Sequence, residues 1–193
     1  MTSTIIDKMK IQKEDHFTSY LGMLIALGSF FMLFMALLAS YGILRVRSNI
    51  WMSHEFGIFP LLFAWVNTMI ILLSSFVLFR GVRLIENGKK TIILNKLYAT
   101  IMFGLVFLIL QIILWKMLIN EGFTITSHQA GSVFYLLSGL HGLHITGGLI
   151  CLVWVMFRIK TNIYIQNSIR LVSMFWHFLT FIWIIIFILV ILI

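Results

Sequence analysis

Five stretches of this chain contain no Asp, Glu, Lys or Arg, and each is 19 to 28 residues long: Tyr20–Leu44, Phe56–Phe79, Leu97–Trp115, Ala130–Phe157 and Leu171–Ile193. About 20 consecutive apolar residues are what a helix needs to cross the hydrocarbon core of a bilayer. A lipid-immersed backbone must satisfy its own hydrogen bonds, so each stretch is expected to be an α-helix. A β-barrel would need short alternating segments, and these runs do not alternate. The expected fold is therefore all-α: a polytopic bundle of five transmembrane helices (residues 20–193) behind a polar tail (residues 1–19). The apolar run after the tail is too long for a signal-peptide core and is expected to remain as the first span.

Composition agrees. Of the 193 residues 61% are hydrophobic and 10% charged, against roughly 45–50% and about 25% in soluble domains. A Rossmann-type enzyme, a zinc-finger protein and a disulfide-rich scaffold are excluded. The lone cysteine, Cys151, has no partner for a disulfide or a thiolate metal site. The net charge of +8 points to orientation rather than to nucleic acid. Threading five helices puts Lys8, Lys10, Lys13, Arg80, Arg83, Lys89, Lys90, Lys96, Arg158, Lys160 and Arg170 on one side. Only Arg45, Arg47 and Lys116 fall on the other. Basic residues collect on the cytoplasmic side, so the N-terminus is expected to be cytoplasmic and the C-terminus outside.

All six carboxylates (Asp7, Glu14, Asp15, Glu55, Glu86 and Glu121) lie in the tail or in loops. Proton and ion pathways usually need buried ionisable groups, so the chain by itself has little with which to pump or conduct. Histidine remains. His141, His144 and His177 fall within spans, whereas His16, His54 and His128 do not. His141 and His144 share a helix face, since three residues turn the helix about 300°. Imidazole suits iron, copper and zinc, and a haem between helices could use His177 with His141 or His144. The alternative is that each ring hydrogen-bonds across a helix interface. The other span residues favour that packing reading.

Each span offers a seam of small or polar residues. These are Gly22, Ala26, Ser29, Ala36 and Ser40 in the first, and Pro60, Asn67 and Ser74 in the second, with Thr68 and Ser75 alongside. Thr100, Gly104, Gln111 and Trp115 line the third, and Ser173, His177 and Thr180 the fifth. The fourth has two: Phe134, Ser138, His141, His144 and Gly148 on one side, and Tyr135, Gly139, Gly142 and Thr146 on the other. Small residues let membrane helices approach closely. Interhelical polar contacts are thus expected from Asn67, Gln111, His141, His144 and His177, and close packing from Gly22, Ser29, Ser74, Gly139, Gly142 and Gly148. Trp176 and Trp183 are expected to anchor the last helix against a partner or lipid.

The fourth span carries a resemblance. Its run Phe134-Tyr135-Leu136-Leu137-Ser138-Gly139-Leu140-His141-Gly142-Leu143-His144, followed by Gly147 and Gly148, resembles the signature helix of the haem–copper oxidase subunit III family in its short five-helix form. Phe123-Thr124-Ile125 and Gly131-Ser132 are similar to the loop before it. Pro60-Leu61-Leu62, Asn67-Thr68 and Leu73-Ser74-Ser75 match in the second span, Gly104, Phe107 and Gln111 in the third, and Phe175-Trp176-His177-Phe178 with Trp183 in the fifth. Two positions depart: Phe30 stands where members often carry a glutamate, and Thr180 where they usually carry an aspartate.

The resemblance implies a non-catalytic subunit of a respiratory oxidase in the bacterial inner membrane. Its partners would be the catalytic subunit I, with its haems and copper, and subunit II. It would stabilise subunit I, hold phospholipid and support proton uptake, with no cofactor or metal of its own. The rival readings are a relative that accompanies nitric oxide reductase and a b-type haem membrane anchor.

Overall fold

The computed structural model describes residues 2–47, 58–83, 90–120, 129–161 and 166–192. The expectations for His54, His128 and Phe123–Ile125 lie outside them. Five α-helices account for nearly all of this length: α1 (Thr2–Arg47), α2 (Ile58–Arg83), α3 (Lys90–Asn120), α4 (Gln129–Lys160) and α5 (Gln166–Ile186). A π-helical extension, Phe187–Leu192, continues α5. Each of the five, α5 together with its extension, contains a segment of 24 to 30 residues long and apolar enough to cross a membrane.

The helices run past the ends of the uncharged stretches, because a charge does not end a helix at the membrane surface. Arg80 and Arg83 fall in the last turn of α2 and Arg158 and Lys160 in the last turn of α4. Their long stems let the cationic heads reach water while the backbone stays helical. The residues of the expected polar tail are helical too, since α1 runs without a break from Thr2.

Helices α2, α3, α4 and α5 pack in a closed circuit, α2 on α3, α3 on α4, α4 on α5 and α5 back on α2, and α1 lies outside it against α4 and α5. The interior is two apolar clusters stacked along the bundle axis. One, towards the basic ends of the helices, includes Ile71, Leu97, Phe107, Ile145, Leu152, Trp176 and Trp183. The other includes Phe34, Leu38, Ala64, Leu114, Leu137, Ile182 and Ile186.

Helix α1 corrects an expectation. Gly22, Ser29, Ala36 and Ser40 are exposed, and a Cβ added at Gly22 would meet nothing within 4 Å. The helix packs instead through the opposite face, where Phe34, Leu38 and Tyr41 are buried. The physical reason is shape. The surface that α4 turns to α1 carries the rings of His141 and His144, and Phe34 packs against both, so large side chains on α1 fill the space where small ones would leave voids. The Ser29 and Ser40 hydroxyls donate within α1, to Ile25 O (3.0 Å) and Ala36 O (2.9 Å).

Candidate functional site

Between the two apolar clusters lies a layer of polar side chains at one depth. On α2 the buried face runs Ala64, Asn67, Thr68, Ile71, so Asn67 and Thr68 separate one cluster from the other. Gln111 does the same on α3, between Phe107 and Leu114, and His141 on α4, between Leu137 and Ile145. Asn67 Nδ2 donates to Gln111 Oε1 at 2.9 Å, tying α2 to α3. His141 is fully buried. Its ring stacks on Trp183 (5.2 Å between centroids, 30° between planes) and meets the edges of Phe34 and Phe107, each at 6.2 Å. The expected interhelical hydrogen bond from His141 is not formed. Both ring nitrogens lack a partner, as do Asn67 Oδ1 and Gln111 Nε2. The aromatic faces that close around the imidazole offer no acceptor in its plane, so packing holds it.

Two tryptophans enter this layer through hydroxyl relays. Trp183 Nε1 donates to Thr68 Oγ1 (3.1 Å), and the Thr68 hydroxyl in turn donates to Ala64 O (2.8 Å). Trp115 Nε1 donates to Ser138 Oγ (3.2 Å), which donates to Phe134 O (2.6 Å). Each hydroxyl closes a bond within its own helix and keeps a lone pair for the neighbouring indole. The relays bind α5 to α2 and α3 to α4. Sequence reasoning missed them, although a tryptophan inside a span needs a partner for its N–H when buried.

A second polar layer lies about two helical turns nearer the basic end. His177 is held at both nitrogens, Nδ1 to Ser75 Oγ (2.5 Å) and Nε2 to Ser173 Oγ (3.1 Å). A neutral imidazole has one donor and one acceptor, and one hydroxyl takes each role. Ser74 Oγ donates to Thr100 O on α3 (3.1 Å). Asn67, Gln111, His177 and Ser74 therefore make polar contacts between helices. His144 does not: its Nδ1 meets Leu140 O of its own helix (2.7 Å), and its ring packs against Phe30 (4.6 Å, 79°) and Phe34 (5.5 Å) of α1.

The glycines divide in the same way. A Cβ on Gly148 would lie 3.2 Å from the Trp176 ring, and one on Gly104 only 2.8 Å from it. Trp176 is thus a wedge between α3 and α4, made possible by two glycines. Gly139 faces Trp115 and Gly142 faces Leu108 at ordinary contact distance. The expected outward anchoring by Trp176 and Trp183 is overturned, since both are fully buried. An indole is the largest apolar side chain, and α3 and α4 supply the glycine notches that admit one.

No group of three or more His, Cys, Asp or Glu that could hold a metal ion occurs among the described residues. The two positions that depart from the resemblance are uncharged: Phe30 meets His144, and Thr180 Oγ1 donates to Trp176 O (3.0 Å). The arrangement is a set of cross-helix pins and wedges with no formal charge in the described interior.

Known proteins share this sequence pattern along nearly the whole chain. Residues 16–193 match the family described as cytochrome c oxidase subunit III. A probable cytochrome c oxidase subunit 3 of Nocardia farcinica is 33% identical over 166 residues, 84% of this chain and 82% of the relative. The cytochrome bo(3) ubiquinol oxidase subunit 3 of Pseudomonas putida is 37% identical over 160 residues, 80% and 76% of the two chains. The cytochrome c oxidase subunit 3 of Bacillus subtilis is 34% identical over 188 residues, 94% and 87%. The match spans all five helices and includes both polar layers, and by it the chain belongs to the cytochrome c oxidase subunit III family.

Proposed function

We propose that this chain is the non-catalytic subunit III of a respiratory haem–copper terminal oxidase. The observation that carries the reading is the family match across residues 16–193, joined to relatives named for both cytochrome c and ubiquinol oxidases. The partners are then the catalytic subunit I, with its haems and copper, and subunit II. The basic ends of the helices face the cytoplasm, the N-terminus with them, and the membrane is the bacterial inner membrane.

The interior supports a mechanical role. From Phe17 onward no described helix contains Asp or Glu, so the described helices carry no carboxylate relay through the membrane. Its contribution to proton uptake is to hold the partner's inner surface in place. The pins at Asn67–Gln111 and Ser75–His177 give it a bundle stiff enough to support another chain, and the outer surfaces hold lipid.

Purification of the tagged chain from native membranes tests this. The expected result is co-migration with a much larger haem-bearing chain and a reduced-minus-oxidised spectrum that leaves with that chain. A haem band that stays with this polypeptide alone would overturn the non-catalytic reading, as would recovery without any haem-bearing partner. Reporter fusions at either end test the orientation, with a cytoplasmic reporter active only at the N-terminus.

A further inference from the structure

The last turns of α2 and α4 repeat one arrangement three times. The guanidinium carbon of Arg80 lies 5.0 Å from the Phe76 ring centroid, that of Arg83 4.3 Å from Phe79, and that of Arg158 4.7 Å from Trp154. In every pair the ring comes four residues earlier, so one helical turn places it beside the cation. The rings face outward, with exposures of 53%, 41% and 48%. Stacking occupies the flat face of a guanidinium and leaves its five in-plane N–H donors free for other partners. No carboxylate lies in the described helices from Phe17 onward, so no described side chain neutralises these cations. The shared cluster around Leu97 and Leu152 brings the ends of α2 and α4 to one end of the bundle, on diagonal corners of the helix circuit.

We propose that the pairs Phe76–Arg80, Phe79–Arg83 and Trp154–Arg158 are binding sites for anionic phospholipid headgroups, arranged around the perimeter at the basic end. Each pair joins two chemistries at one place. The planar fork of a guanidinium pairs with phosphate oxygens, and the exposed ring beside it takes the upper part of an acyl chain. A lipid brings both, whereas an acidic loop of a protein brings only the first. Because no described side chain neutralises the three cations, a lipid with net negative charge is favoured over a zwitterionic one. The ring holds the guanidinium at headgroup depth and so lowers the entropy lost on binding. This deepens the lipid-holding part of the function proposed above, by naming the lipid class and the residues.

The test is the full chain in phosphatidylcholine nanodiscs, probed with spin-labelled phosphatidylglycerol and spin-labelled phosphatidylcholine. The expected preference for the anionic label is about fivefold per site, falling towards parity in R80Q/R83Q/R158Q. The variant F76L/F79L/W154L keeps every charge and is expected to lose more than half of the preference. The variant R80K/R83K/R158K guards against misfolding, and retains part of it. Parity in the wild type, or an unchanged preference in the glutamine variant, overturns the proposal. Loss in the glutamine variant with none in the ring variant overturns the pair as the binding unit. If the preference is absent while the haem-bearing partner still co-purifies, the lipid sites fail and the subunit III reading stands.

Discussion

Replacing Gly104 with alanine would put a methyl group where α3, α4 and α5 meet. The new Cβ would lie 2.8 Å from Leu149 Cδ2, 2.8 Å from Trp176 Cη2 and 3.1 Å from Trp176 Cζ2. Carbon atoms in contact prefer about 3.5–4.0 Å, so a neighbour must move. Trp176 has little room, because its ring is fully buried and its other side rests on Gly148. Overpacking of this kind costs about 1–3 kcal/mol. Removing a helical glycine offsets about 0.4–1 kcal/mol of it through the unfolded chain. The expected net loss is about 1–2 kcal/mol, read by unfolding in mixed micelles with increasing SDS. Gly147→Ala is the control, since a Cβ there meets nothing within 4 Å, and it is expected to be neutral or slightly stabilising. In a Trp176→Phe background the methyl group has space, and the cost of Gly104→Ala should fall by more than half. Equal costs in the two backgrounds, or no cost in either, would refute the wedge.

The Asn67–Gln111 bond is measurable by a double-mutant cycle with leucine at each position. Each single change leaves a buried amide without its partner and is expected to cost about 1–3 kcal/mol, with a coupling of about 0.6–2 kcal/mol; zero coupling would mean that the bond contributes nothing. His141→Leu removes a ring whose nitrogens have no partner, so stability should hold or rise, and a loss above about 1 kcal/mol would show that the ring is in fact hydrogen-bonded. His144→Ala removes the ring against Phe30 and Phe34, loosening α1, and should reduce the yield of co-purifying chains. A wild-type yield would show that α1 keeps its place without the His144 ring.

Much of this molecule was legible in one dimension. Absence of charge over five long runs determines five helices, because lipid leaves the backbone no other way to satisfy its hydrogen bonds. The His141-Gly142-Leu143-His144 helix, taken in order with the matches in the loop before it and in the second, third and fifth spans, indicated the family. Periodicity placed Asn67, Ser74 and Gln111 on one face of each helix, and those faces are buried. Tertiary structure decided the rest. Periodicity tells which residues share a face, but not what the face meets. In lipid an apolar outer face and an apolar inner one look alike in sequence. Thus the small-residue seam of α1 points out while Phe34, Leu38 and Tyr41 point in, and Trp176 and Trp183 are buried rather than outward anchors. Depth is also a property of the assembled bundle: Thr68 and Trp183 are 115 residues apart in the chain, and only antiparallel packing brings them to one level.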